Sequence, residues 1–71
     1  MEWHEVLDGN KFCTTASGEN YTYRIEKVCS PHDGKSYYNL WMLSSYRNYL
    51  FATYDDIRKA MKMAWRFENG W

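Results

Sequence analysis

Proline and glycine are scarce, with one Pro and four Gly in 71 residues. That excludes collagen-like and linker-rich chains and leaves few places where the backbone is free to break. Cysteine is scarce too. Cys13 and Cys29 are too few for the disulfide framework of a small secreted domain, so both are read as reduced, buried, apolar side chains. No apolar run approaches the ~18 to 20 residues that a membrane-spanning helix needs. The opening residues Met1, Glu2, Trp3, His4 and Glu5 are acidic where a secretory leader is basic, and the expectation is a cytoplasmic protein without membrane contact. Excess charge of one sign is also missing, because nine Lys and Arg balance nine Asp and Glu. A dedicated basic nucleic-acid domain would have a pI above about 9.

Aromatics, by contrast, are plentiful: four Trp, seven Tyr and three Phe make up 20% of the chain. Such a chain folds, and its length allows one domain, residues 1–71. A domain of this size buries only roughly 60% of its unfolded surface, so each large ring carries much of the core.

Turn chemistry divides the chain. Asp8-Gly9-Asn10, Ser17-Gly18-Glu19-Asn20, Pro31-His32-Asp33-Gly34 and Ser44-Ser45 up to Asn48 are the breaks. Between them the pattern predicts strands within residues 3–7, 11–16, 21–29, 36–43 and 49–52. Tyr21, Tyr23 and Ile25 alternate with Thr22, Arg24 and Glu26, the period of a half-buried strand. Val28 and Cys29 break that parity, which predicts a bulge there. In residues 36–43, Tyr38, Leu40 and Met42 share one side, and Tyr37, Asn39, Trp41 and Leu43 share the other, as in a central strand.

A helix is predicted over about residues 54–68. Thr53 and Asp56 have the spacing of a capping box, and Asp55 and Asp56 suit a first turn. Ile57, Ala60, Met61, Ala64 and Trp65 form the apolar stripe, and Asn69-Gly70 supplies the stop. The expected fold is α+β: a small antiparallel meander of three to five strands with one C-terminal amphipathic helix packed on one face. One helix covers one face, so the other stays open, and an open aromatic face serves as a dimer interface, partner site or stacking platform.

The segment from Tyr49 through Phe51 and Asp56 to Ala60 resembles the last-strand-to-helix junction of DNA-binding modules built from a three-stranded sheet and a helix, such as the arm-binding domains of phage integrases. It lacks the Gly that usually precedes the Phe position in them, and the strands lack their run of Arg and Trp.

His4, Cys13, Cys29 and His32 are the soft metal ligands, and Cys29-Ser30-Pro31-His32 has the spacing of half a zinc site. The second close pair is missing, so no metal site is expected. No Gly-rich phosphate loop, nucleophile elbow or Cys/His pairing is present, so no catalytic residue, cofactor or small-molecule substrate is expected either. Most of the aromatic set belongs to core and sheet packing. The surplus, together with flanking Arg, points to a contact patch at Arg24, Tyr37, Trp41, Tyr46 and Arg47. The expected function is a small non-enzymatic binding protein whose partner is another protein or a second copy of itself, in the style of phage and mobile-element accessory products that modulate host proteins. The alternative is a nucleic-acid-binding domain using either the aromatic sheet face or a ridge of Arg58, Lys62 and Arg66, which fall at i, i+4 and i+8.

Overall fold

A computed structural model gives the conformation of residues 1–9 and 11–70, with all their side chains but those of Asp8 and Lys11; of the first turn signal, Asn10 lies outside the described residues. Five strands precede one helix: β1 (His4–Asp8), β2 (Lys11–Ser17), β3 (Thr22–Cys29), β4 (Ser36–Leu43), β5 (Asn48–Tyr54) and α1 (Ile57–Asn69). Each strand pairs antiparallel with the next, so spatial order equals chain order and the sheet is a meander. The expected α+β class and the single C-terminal helix are both observed.

Local chemistry makes the last two reversals. Between β3 and β4 the Ser30 amide donates to the Lys35 carbonyl at 2.8 Å, and Gly34 takes a φ of +69°, a conformation other residues reach only with strain. Between β4 and β5 the Ser44 hydroxyl accepts from the amides of Tyr46 (3.3 Å) and Arg47 (3.2 Å), standing in for backbone partners.

The core lies between one sheet face and the helix. Tyr23, Ile25, Leu40 and Met42 meet Ala60 and Ala64, and Trp3, Tyr21, Tyr38, Tyr54, Ile57, Met61, Met63 and Phe67 pack around them. Two alanines at the contact let the helix axis come close to the sheet while the aromatics fill the margins. Phe67 meets Phe51 edge-on, with centroids 4.6 Å apart.

Four local expectations are corrected. The helix starts at Ile57 rather than near Tyr54, because β5 runs on to Tyr54; the cap is Asp56, whose carboxylate accepts from the Arg58 amide at 2.8 Å, while Thr53 donates to Asn39 Oδ1 at 2.6 Å. Trp65 is off the apolar stripe at 56% exposure, and Phe67 and Met63 take its place. Val28 and Cys29 lie in unbroken register with Tyr37 and Ser36, and the bulge falls in β5, where the pairing skips Phe51. Cys29 is exposed, whereas Cys13 is buried as expected, and both thiols are free.

Candidate binding face

The helix packs on β3, β4 and β5. Register then fixes what points the other way. In antiparallel sheets residues directly opposite one another share a face, with Cβ atoms about 4.5–5.5 Å apart. Thr15, Arg24, Trp41 and Leu50 therefore form one row across β2 to β5, flanked by a row of Ser17, Thr22, Leu43 and Asn48 and another of Cys13, Glu26, Asn39 and Thr53. This is the open face.

Trp41 stands near its middle, half-buried among its neighbours. Arg24 lies back across the sheet instead of projecting from it, and its guanidinium donates to Cys13 Sγ at 3.1 Å. The outer row is closed by side-chain hydrogen bonds: Asn39 donates to Glu26 at 3.4 Å and accepts from Thr53 at 2.6 Å. These polar links run from β3 through β4 to β5 in the row beside the indole. A shallow hollow of about 190 Å³ beside Trp41 is lined by Arg24, Glu26, Leu43 and Asn48. Pockets for whole small molecules run to roughly 300–1,000 Å³, so this one suits a single large side chain of a partner.

The five sequence-derived patch residues separate in space. Arg24 and Trp41 are direct cross-strand neighbours. Tyr37 shares their face but sits four residues along β4, where its hydroxyl donates to Asp33 at 2.9 Å. That bond raises the Tyr37 phenol pKa, while the Lys35 amide and then the Tyr37 hydroxyl hold the Asp33 carboxyl below its ordinary value. Tyr46 is 94% exposed at the tip of the β4–β5 turn, beside a depression that runs to the β2–β3 turn. Arg47 turns away and stacks its guanidinium over Tyr49, 4.6 Å from the ring centroid.

The helical ridge is also divided. Arg58 is held by Asp56 at 3.0 Å, and Lys59 by Asp55 at 2.9 Å. Lys62 and Arg66 have no ion pair among the described residues and flank a hollow with Tyr54 and Met63.

Among the described residues no group of three or more His, Cys, Asp or Glu is placed to hold a metal ion. No described helix is long and apolar enough to cross a membrane.

Sequence reasoning missed one functional-looking constellation. Glu68 reaches from the helix to the β2–β3 turn, accepting from the Glu19 amide, from the Asn20 amide at 3.4 Å and from the Tyr23 hydroxyl at 3.0 Å. Nothing local marks Glu68, because its partners are 45 to 49 residues away. Comparison with known proteins returned no matching family model, no matching curated protein and no matching solved structure.

Proposed function

We propose that the chain is a small protein-binding module that acts through its open sheet face, with Trp41 as the anchor. The carrying observation is that one face of a five-stranded sheet lacks a covering element among the described residues and presents an indole between Arg24 and Leu50, beside a hollow sized for one side chain. Trp and Arg set among hydrogen-bonded polar side chains are the composition of an interface hot spot, where a few residues carry most of the binding energy. Such a module acts by occupying a surface of another protein, as an accessory protein modulating a host target does.

The decisive experiment immobilises the protein and its Trp41→Ala and Lys62→Glu variants, with folding checked by circular dichroism. A partner protein held by the wild type and by Lys62→Glu, and lost with Trp41→Ala, supports the reading. Binding of single-stranded DNA or RNA that collapses with salt and is abolished by Lys62→Glu but kept by Trp41→Ala overturns it in favour of the helical ridge.

A further inference from the structure

The sheet ends in β1 and β5, each with one side left without a paired strand among the described residues. A bare strand presents unpaired N–H and C=O groups to any other chain, and proteins blunt such edges with charge, proline, a bulge or short length. β1 is blunted: it has five residues and contains Glu5 and Asp8. β5 has only its bulge at Phe51. Its seven residues, Asn48 to Tyr54, include no charge and no proline, and Tyr49, Leu50 and Phe51 are 43%, 49% and 45% exposed. Charge begins at its two ends, with Arg47 before the strand and Asp55 after it.

We propose that β5 pairs antiparallel with β5 of a second copy of this chain about a two-fold axis at Phe51. In that register Arg47 faces Asp55 of the partner subunit, and Asp55 faces Arg47 of the partner subunit, so both ends of an otherwise neutral ladder close with opposite charges. The sign pattern suits a self-complementary interface, in which the same surface meets itself. Asp55 is the available acid, since it holds only the exposed Lys59, whereas Asp56 is committed to the helix cap and to Arg58. The bulge at Phe51 lies on the axis, so the extra twist of one strand meets the same twist in its partner. The outcome is one continuous ten-stranded sheet. A two-fold axis perpendicular to it leaves both helices on one side and both Trp41 faces on the other, so the pairing is independent of the open-face function.

Arg47 and Asp55 flank β5, eight residues and about 25 Å of extended chain apart, too far to interact within a single chain. Charge reversal therefore reads out the pairing between copies. Sedimentation velocity over a wide concentration series is expected to show a concentration-dependent dimer for the wild type. Arg47→Asp and Asp55→Arg each place like charges opposite one another at both ends, weakening dimerisation about tenfold or more. The double variant Arg47→Asp with Asp55→Arg restores it. Circular dichroism of each variant separates lost pairing from lost folding. A monomer at every concentration overturns the proposal, as does a dimer indifferent to both single reversals or a double variant that stays as weak as the singles. A dimer abolished by Trp41→Ala and untouched by Arg47→Asp assigns self-association to the open face instead.

Discussion

Glu68 ties the last turn of the helix to a reversal near the start of the chain, and three neighbours make that tie specific. Burial pushes its carboxyl pKa up, but the hydrogen bonds from Glu19, Tyr23 and Asn20 outweigh that, and the net value lies below the ordinary one. The folded state thus binds this proton less tightly than the unfolded chain. The stabilisation is complete above the usual carboxylate pKa of about 4.3 and is lost as pH falls through the folded value. Glu68→Gln is expected to flatten the acid limb of a stability-against-pH curve measured by urea melts; an unchanged limb sinks the assignment. Tyr23 shares the bond: burial, then Glu68, raises its phenol pKa. Tyr23→Phe removes one hydrogen bond to a charged acceptor from a buried ring and should cost about 1–2 kcal/mol in the same melts. Gly18 is a fourth neighbour, since a Cβ there would collide with the Glu68 carboxylate. The carboxylate ends a flexible side chain, so Gly18→Ala should displace it and mimic the loss of the tie rather than unfold the domain.

At the scale of the elements, alternation and turn residues were sufficient to locate the strands, because β3 and β4 each turn one face to the core and the β3–β4 and β4–β5 reversals carry their own hydrogen-bonding side chains. The junction from β5 to α1 was harder to read. Thr53 and Asp56 both have capping chemistry, and only the neighbouring strand decides between them: Asn39 takes Thr53 into the sheet and leaves Asp56 to cap. Asp56→Ala should therefore lower the melting temperature by about 4–8 °C, and Thr53→Ala should leave helix content by circular dichroism unchanged. The reverse ranking would restore the cap at Thr53. Trp65 misled the stripe because hydrophobicity shows which residues suit burial, while the position of Ala60 and Ala64 against β3 to β5 sets which helical angle is covered. The bulge could not be placed from parity, since Val28 and Cys29 sit at a strand end where exposure itself breaks the alternation. For the candidate face, Trp41 and Arg24 were legible as opposite-face residues on adjacent strands. That Arg47 points elsewhere was not, because the turn fixes it.

Across the whole molecule, stability is distributed unevenly, and hydrogen exchange can read the distribution. Among the described residues the helix packs on β3, β4 and β5 and leaves β1 held by β2 alone, with Leu7 77% and Val6 44% exposed. Strands with few buried contacts open by local fluctuations well below the global unfolding free energy, so the amides of β1 should exchange fastest among the strands and those of β3 and β4 slowest. β5 occupies a middle rank in a single copy, since the helix covers one of its faces while one edge stays bare. Its rank tests the assembly as well as the fold. Pairing between two β5 strands buries amides that a lone chain exposes, so protection in β5 should rise with protein concentration while protection in β1 stays constant. Arg47→Asp should abolish that rise without altering β3 or β4. Concentration-independent protection in β5 would leave its edge open to solvent, and protection rising in β1 instead would move the contact to the opposite side of the sheet.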